Sequence, residues 1–439
     1  MSRTFYIETF GCQMNELDSE KIAGSLLHEG MEPVSDPAKA DIIILNTCSI
    51  REKAVQKVYA RLGEVKRHKT RRGGDLVVGV VGCMAQLEGE KILERAPFVN
   101  IIAGPQKGHV MPELVARALE TRRPAIDLRM DDDPEPLETR HVLRVSPWRA
   151  GVTISEGCNR HCAFCVVPLT RGPQKDRPSS NIISEAARLV DQGYLEIILL
   201  GQTVNSYRDP SPPGLRFAGL LRKLAEIPGL KRVRFTSPHP NDFSDDLLDV
   251  MVSCSQVCNQ IHLPVQSGST RVLLAMRRGY TRERYLETIR KIQSATRAIA
   301  ISTDIIVGFP GETETDFEDT LRLLDEVQYD SVFSFKYSPR PNTAALNLPG
   351  EVPEEEKGKR LRRLQEHQNL IQYNKNAAYV AQVLEVLVED RARANFSLAG
   401  RAANNKVVNF DGPENLIGKF AEIQITGFSA NSLRGVRVQ

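Results

Sequence analysis

Six of the eight cysteines in this 439-residue chain fall into two groups of three with very different spacing. The tighter group, Cys158, Cys162 and Cys165, lies in one short loop. Such a loop can wrap one metal cluster, because a [4Fe–4S] cluster has four irons that each take one outside ligand, usually a thiolate. Three thiolates leave one iron open to a small molecule. The chain must therefore fold so that these three sulfurs converge beside open space.

Zinc and a disulfide are the alternatives for this loop. Structural zinc takes four tetrahedral ligands, and no fourth cysteine or well-spaced histidine stands nearby; His161 lies inside the loop.

The N-terminus starts a strand pattern without a signal peptide, and no apolar run is long enough to span a membrane, so we expect a cytoplasmic protein with no membrane association. Thiols in that compartment serve metal binding or catalysis. The net charge of +3 permits nucleic-acid binding without arguing for it.

The second group of cysteines belongs to an N-terminal segment, residues 1–125, in which strand and helix patterns alternate. Strands are predicted at 4–9, 40–45, 76–81 and 99–102. This alternation predicts a doubly wound α/β sheet. Cys12, Cys48 and Cys83 each follow a different strand, and the carboxyl ends of parallel strands share one edge, where α/β folds bind ligands. We expect a second metal site there; three buried small residues that close turns are the alternative.

An acidic stretch with two prolines, residues 129–138, predicts a solvated linker over residues 126–145. The segment 146–374 then repeats a strand–helix unit six times, with strands predicted at 151–155, 195–200, 233–236, 260–265, 301–307 and 331–337. Six parallel units that curve together predict a partial (β/α)6 barrel, open on one side. Barrel chemistry lies at the carboxyl ends of the strands, which is where the tight cysteine loop follows the first strand.

Small and polar residues follow the other strands of this barrel and are candidates for binding a cofactor. They are Gly201, Gln202, Asn205, Ser237, Gln266, Ser267, Val307 and Gly308. Each of these loops alone is ordinary turn chemistry. On one rim beside a cluster loop, they together favour a cofactor site.

The last segment, residues 375–439, changes to short strands separated by turns, after a charged helix at 353–374. The strands are predicted at 382–388, 396–398, 406–410, 420–426 and 434–438. This pattern predicts a small OB-like β-barrel. Such barrels often bind nucleic acid, and many are purely structural, so RNA binding stays open on these residues alone.

The combined motifs resemble the methylthiotransferases, which are radical S-adenosylmethionine (SAM) enzymes with an N-terminal auxiliary-cluster domain, a radical SAM domain and a C-terminal TRAM domain. The likeness covers nearly the whole chain. The stretches 46–52, 261–269 and 334–341 are most similar to the members that act on isopentenylated adenosine in tRNA. Two positions depart from the family pattern: residues 173–178 replace a Ser-Arg-Pro ending, and Asn342 stands where glycine is usual, although asparagine tolerates a positive φ.

The resemblance implies two [4Fe–4S] clusters and SAM as cofactors. The resemblance implies that the auxiliary cluster is bound by Cys12, Cys48 and Cys83. It implies that the SAM cluster is bound by Cys158, Cys162 and Cys165. It implies radical chemistry that inserts a methylthio group at C2 of N6-isopentenyladenosine 37 in the anticodon loop of tRNA. The implied partners are tRNA, a low-potential electron donor such as flavodoxin or ferredoxin, and a sulfur donor, and the implied state is a monomer. The resemblance implies no catalytic side chain beyond the cluster ligands.

Three alternative functions stay open at this point. The first is another methylthiotransferase, acting on threonylcarbamoyl-adenosine in tRNA or on an aspartate of a ribosomal protein. The second is a radical SAM enzyme whose N-terminal domain holds no cluster, and the third is a non-enzymatic iron–sulfur protein that binds RNA. Cys254 and Cys258 belong to neither cysteine group, and we expect them to pack in the core.

Overall fold

A computed structural model of the chain describes residues 2–49, 52–71, 75–130, 141–392 and 395–438. The N-terminal part consists of β1 (Thr4–Phe10), α1 (Gln13–His28), β2 (Glu32–Pro33), β3 (Ile42–Thr47), α2 (Glu52–Arg71), β4 (Val77–Gly82), α3 (Cys83–Glu88), α4 (Lys91–Arg95), β5 (Ile101–Ala103), α5 (Met111–Thr121) and β6 (Ala125–Asp127). Its six strands form one parallel sheet in the order β2-β1-β3-β4-β5-β6.

Helices cover both faces of this sheet. Every residue of β3 is buried, as its continuous apolar sequence predicts for a central parallel strand. Ile43 and Leu45 pack on one face with residues of α2, α3 and α4, whereas Ile42 and Ile44 pack on the other with α1 and α5. The predicted doubly wound α/β fold is therefore confirmed.

One boundary of the N-terminal domain differs from the sequence-based expectation, and one helical stretch is divided. The chain after β4 forms two helices, α3 and α4, which are separated at Gly89, whose φ is +54°. β6 pairs with β5 and ends at Asp127, inside the segment predicted as linker. Three residues are too few to show a strand pattern in the sequence. The acidic stretch 131–138 lies outside the described residues.

The central part follows as β7 (Arg149–Thr153), β8 (Ser155–Glu156), α6 (Val167–Arg171), β9 (Lys175–Asp176), α7 (Ser179–Asp191), β10 (Glu196–Leu200), α8 (Phe217–Ala225), β11 (Arg232–Phe235), α9 (Asp245–Ser253), β12 (Gln260–His262), α10 (Thr270–Ala275), α11 (Arg282–Gln293), β13 (Ala300–Val307), α12 (Glu314–Val327), β14 (Ser331–Lys336) and α13 (Glu354–Ala377). Two parallel sheets, β11-β10-β7 and β12-β13-β14, are joined by a bridge between Val233 and Val257. This is the predicted partial (β/α)6 barrel. A capping box between Thr313 and Asp316 begins α12.

The C-terminal part is a closed five-stranded barrel, as predicted. Its strands are β15 (Val383–Arg391), β16 (Leu398–Ala402), β17 (Val407–Phe410), β18 (Phe420–Phe428) and β19 (Leu433–Arg437), in the order β15-β16-β17-β19-β18. Arg232, the first residue of β11, and Arg234 donate to the carbonyls of Arg401 and Ala402, both at 2.8 Å. The small barrel thus docks at the amino ends of the central strands, opposite the cysteine loop. No helix in the described ranges is long and apolar enough to cross a membrane.

Candidate cluster and cofactor site

The tight cysteine loop connects β8 to α6 at the carboxyl end of β7. Gly157 opens the loop with φ +81°, and a Cβ on this residue would stand 2.0 Å from the carbonyl oxygen of Pro173. The next residue, Cys158, donates its N–H to the carbonyl of Gly172 at 3.1 Å. Only glycine fits this turn, and it folds the loop back on the chain that follows α6.

Backbone N–H groups and a hydroxyl surround two of the loop sulfurs. Cys158 Sγ accepts the N–H of Arg160 at 3.4 Å and lies 3.3 Å from Thr203 Oγ1. Cys165 Sγ accepts the N–H of Val167 at 3.5 Å. Hydrogen bonds to the sulfurs are among the features by which proteins set the properties of iron–sulfur clusters.

A buried arginine contacts the third loop sulfur. Arg278 Nη1 donates to Cys162 Sγ at 3.3 Å, while its Nη2 and Nε donate to the Pro264 carbonyl and the Tyr280 hydroxyl at 2.9 and 3.0 Å. Arg278 is only 7% exposed. In the described part of the chain, no carboxylate forms an ion pair with this guanidinium. A buried charge of this kind needs a negative partner, which a thiolate-ligated cluster supplies.

His239 is a second buried side chain beside the loop, and its donor has no acceptor among the described residues. Its Nδ1 accepts the N–H of Asn241 at 3.2 Å, which places the ring proton on Nε2. Burial, together with the charges of Arg278 and Arg160, lowers the pKa of His239 to about 2, so the ring is neutral. Within the ranges described, Nε2 has no hydrogen-bond partner. An orphaned N–H beside an unpaired guanidinium fits a site built for an electron-rich group.

The spacing of the thiols distinguishes a cluster from a single ion. Burial raises the pKa of Cys165 to about 12, and the charges of Cys162 and Cys158 add to the rise, so the three thiols are neighbours. Yet no three His, Cys, Asp or Glu side chains among the described residues gather closely enough to hold one metal ion. Structural zinc takes four ligands, whereas a cubane binds each thiolate to a different iron and can leave one iron open. With three cysteines, the loop fits a [4Fe–4S] cluster better than zinc.

The N-terminal cysteines lie at the carboxyl ends of three neighbouring strands. Cys12 follows β1 and precedes α1, Cys48 follows β3, and Cys83 begins α3 directly after β4. Cys12 is exposed, whereas Cys48 and Cys83 are buried. The sheet order reverses at β1, with β2 on one side and β3 on the other, and such a switch point is where open α/β sheets bind ligands. The three thiols thus occupy the edge at which a ligand is expected.

Arg171 links this edge to the cysteine loop. It ends α6, is 3% exposed, and forms ion pairs with Asp18 of α1 at 2.5 Å and Glu156 of β8 at 2.7 Å. Burial raises the pKa of the Cys83 thiol, and the Arg171 charge and a hydrogen bond from Arg171 oppose that rise. The same guanidinium lies within electrostatic range of Cys12. Arg171 therefore reaches the N-terminal cysteines from α6, the helix that follows the cysteine loop, and both cysteine groups lie at one domain boundary.

We expect Arg171→Ala to destabilise this boundary strongly. The substitution leaves Asp18 and Glu156 buried, with the Lys21 charge still acting near them. Removing one partner of a buried ion pair costs about 3 kcal/mol, here at the lower end because Lys21 stays. The midpoint of denaturant unfolding of the metal-free protein measures the loss.

Arg160→Ala is the matched control for this prediction. Arg160 lies in the cysteine loop and pairs with Asp242, but both side chains are partly exposed, at 36% and 23%. An ion pair that water reaches contributes about 0–1 kcal/mol. Equal destabilisation by the two substitutions would contradict a buried role for Arg171.

The candidate cofactor residues after β10 hold the cysteine loop and its neighbours in place. Gln202 Oε1 accepts the N–H of Gly157 at 2.5 Å. The Asn205 side-chain amide exchanges two hydrogen bonds with the backbone of His239, at 2.9 and 2.7 Å. A Cβ on Gly201 would stand 2.5 Å from Ser155 Oγ. These contacts bring the residues to the rim beside the loop; their contact with a cofactor stays a prediction.

The remaining candidates lie at the ends of β11, β12 and β13. Ser237, Gln266 and Gly308 have positive φ angles of +56°, +75° and +72°. Ser267 Oγ accepts the N–H of Ser269 at 3.2 Å, and Val307 packs in the hydrophobic core. The structure therefore gives Ser267 a structural role in its loop and Val307 one in the core, and a role at the cofactor stays a prediction for all of these residues.

Sequence reasoning missed Arg171, Arg278 and His239 as site residues. His239 lies in a strand-end stretch that draws attention, but nothing marks it as a donor. Arg278 is 116 positions beyond Cys162, and no motif connects the two.

Cys258 is buried and Cys254 packs against the core, as expected of structural cysteines. Asn342, which replaces a usual glycine, has φ +62°.

Three family descriptions match successive parts of the chain. The uncharacterized protein family UPF0004 matches residues 4–104, the Radical SAM superfamily matches 152–324, and the TRAM domain matches 377–438. Among solved structures, the radical S-adenosylmethionine methyltransferase TsrM from Kitasatospora setae, with cobalamin and a [4Fe-4S] cluster bound, superposes with a TM-score of 0.55. It is 15% identical and the match covers 79% of this chain and 74% of that one, so this likeness shows the fold alone.

Curated relatives match over nearly their whole length. A protein of Solibacter usitatus named tRNA-2-methylthio-N(6)-dimethylallyladenosine synthase is 51% identical over 437 residues, which cover 99% of this chain and 97% of the relative. Proteins of the same name from Alkalilimnicola ehrlichii and Yersinia pseudotuberculosis are 46% and 45% identical, with 97% and 92% of their length covered. With both cysteine groups and all three domains present, the chain belongs to the tRNA-2-methylthio-N(6)-dimethylallyladenosine synthase family of radical SAM enzymes.

Proposed function

We propose that this chain converts N6-isopentenyladenosine at position 37 of tRNA into its 2-methylthio derivative. The observation that carries the proposal is that both cysteine groups lie at one domain boundary, where Arg171 contacts Cys83 from the helix that follows the cysteine loop. The full-length relatives support the choice of substrate. In this proposal the SAM cluster is held by Cys158, Cys162 and Cys165, and the auxiliary cluster by Cys12, Cys48 and Cys83.

The residues around the two groups position and shield the chemistry. When bound, the clusters and SAM supply one-electron chemistry and sulfur, which allow substitution at an unactivated C2–H bond of adenine. Gln202 holds the first residue of the cysteine loop, and Arg278 and His239 present N–H donors beside it. Arg171 and its carboxylate partners hold the N-terminal domain against the rim of the central barrel. The two cysteine groups therefore keep a fixed position relative to each other.

The interior of the central barrel offers a surface for the base. Ile305 packs in the helix-facing core, so Ser302 and Asp304 lie on the opposite, interior face of β13. His262 bridges them, with Nδ1 3.0 Å from Ser302 Oγ and Nε2 3.2 Å from Asp304 Oδ2, and its ring meets Phe333 edge to face. Aromatic and polar side chains together suit a splayed purine, and an anticodon loop presents its bases unpaired.

The proposed partners follow from what the reaction consumes. One-electron chemistry needs a low-potential donor such as flavodoxin or ferredoxin, and each product removes one sulfur, which a sulfur donor must replace. We propose that the chain acts as a monomer, as the resemblance to its family implies. We place the reaction in the cytoplasm because tRNA is its substrate.

Analysis of tRNA nucleosides tests substrate and reaction together. In a strain of the source organism that lacks this gene, we expect 2-methylthio-N6-isopentenyladenosine to disappear and N6-isopentenyladenosine to accumulate, and re-expression to reverse both. Liquid chromatography with mass spectrometry of digested tRNA measures the two nucleosides. Unchanged 2-methylthio-N6-isopentenyladenosine, or loss of methylthiolated threonylcarbamoyl-adenosine in its place, would show that the proposed substrate is wrong.

A further inference from the structure

Arg278 is a buried cation whose described contacts are one sulfur and two neutral oxygens. Its three nitrogens donate to the Cys162 sulfur, the Pro264 carbonyl and the Tyr280 hydroxyl, so the planar fork is held at three points. Tyr280 is itself fixed, because its hydroxyl also bonds to the carbonyl of Val265 at 3.0 Å. Rotation of the guanidinium away from the sulfur would break all three of its bonds.

The charge of Arg278 needs a negative partner, and the cysteine loop is where one would form. Burying an unpaired ion is costly. The nearby cation Arg160 already pairs with Asp242 through both carboxylate oxygens. Among the described residues that leaves the sulfurs of the cysteine loop as the groups that become anionic when iron binds, since metal ligation displaces the thiol proton. Cys162 is the one of them to which Arg278 donates.

We propose that Arg278 is a positioning residue that raises the reduction potential of the SAM cluster, by fixing a positive charge and an N–H donor against the Cys162 sulfur. The inference rests on the proposed function, in which Cys162 is a cluster ligand. Each added electron makes a cluster more negative, so a fixed cation stabilises the reduced form more than the oxidised form. Net charge and hydrogen bonds to the sulfurs are known to set such potentials.

The test needs a protein in which the SAM cluster alone gives the measured signal, without a contribution from the auxiliary cluster. A full-length chain with Cys12, Cys48 and Cys83 all replaced by alanine serves as the background. After anaerobic reconstitution we expect it to bind about four irons per chain. A redox titration followed by electron paramagnetic resonance then gives the potential of this one cluster, with and without Arg278→Gln. We expect Arg278→Gln to keep its iron and to shift the potential to a more negative value.

Arg277→Gln is the matched control. Arg277 is the preceding residue and is exposed to solvent, so its substitution removes the same charge where water screens it. We expect the potential of this variant to equal that of the background protein. Arg278→Lys, which keeps the charge and loses the planar fork, should shift the potential less than Arg278→Gln. Equal shifts for Arg277→Gln and Arg278→Gln would overturn a specific role for Arg278.

The outcomes separate this inference from the proposed function. If the background protein with Arg278 intact binds no iron, the assignment of the cluster ligands is wrong. If it binds iron and Arg278→Gln leaves the potential unchanged, the cluster assignment stands and the role of Arg278 is overturned. If Arg278→Gln loses its iron, the potential of the Tyr280→Phe variant decides, because this substitution removes only the hydroxyl that holds Arg278 Nε. A more negative potential of Tyr280→Phe supports the inference, and an unchanged potential overturns it.

Discussion

Replacing Cys162 with alanine is expected to abolish reductive cleavage of SAM and all formation of methylthiolated product. The loop then offers two thiols instead of three, and the Arg278 guanidinium loses the sulfur to which it donates. A cluster in this loop cannot keep three irons ligated and one open, so the loss should be complete. Production of 5′-deoxyadenosine in the presence of SAM and dithionite measures the cleavage.

Cys254→Ser is the control for this substitution. Cys254 is half-buried at the end of α9, away from both cysteine groups, and contacts the Ser253 hydroxyl at 3.9 Å. We expect this variant to form 5′-deoxyadenosine and product at the rate of the unmodified enzyme. If the Cys162→Ala enzyme cleaved SAM at a comparable rate, the loop would not be the site of the SAM cluster.

Replacing Cys48 with alanine is expected to separate the two activities. Cys48 lies at the end of β3 in the N-terminal sheet, whereas the SAM cluster belongs to the central barrel. We therefore expect SAM cleavage to continue while methylthiolated nucleoside falls to the level seen without enzyme. The iron content should fall from about eight to about four per chain, as the loss of one cubane requires.

The expected result for Cys48→Ala depends on correct folding of the N-terminal domain. Cys48 is 3% exposed, so alanine leaves a small cavity, and the unfolding midpoint of the metal-free variant should be measured alongside. Normal methylthiolated product from a folded Cys48→Ala enzyme would remove the auxiliary cluster from the mechanism. Loss of SAM cleavage in the same variant would show that the two sites do not act separately.

Periodic patterns made most of the fold predictable. The continuous apolar sequence of β3 indicated a strand buried on both faces, and the structure buries all six of its residues. The capping box that begins α12 is likewise local, because Asp316 is only three residues from Thr313. Local hydrogen bonds and hydrophobic alternation are written in neighbouring residues, so a sequence shows them directly.

Short elements were less visible. β6 has three residues and is a strand because β5 lies beside it, not because of its own composition. The division between α3 and α4 depends on the positive φ of Gly89, which the surrounding helix pattern conceals. In both cases tertiary contacts or a single backbone torsion outweighed a weak local signal.

The sequence by itself determined the two cysteine groups, the strands that carry them and hence the sheet edge and barrel rim where they lie, since strand ends are local features with a fixed geometric consequence. Only the tertiary structure decided which cations meet the sulfurs. Arg278 contacts Cys162 from the loop between α10 and α11, and Arg171 contacts Cys83 across a domain boundary. Such contacts depend on how separate elements pack, and side-chain charge acts through space, so no local pattern in the chain specifies them.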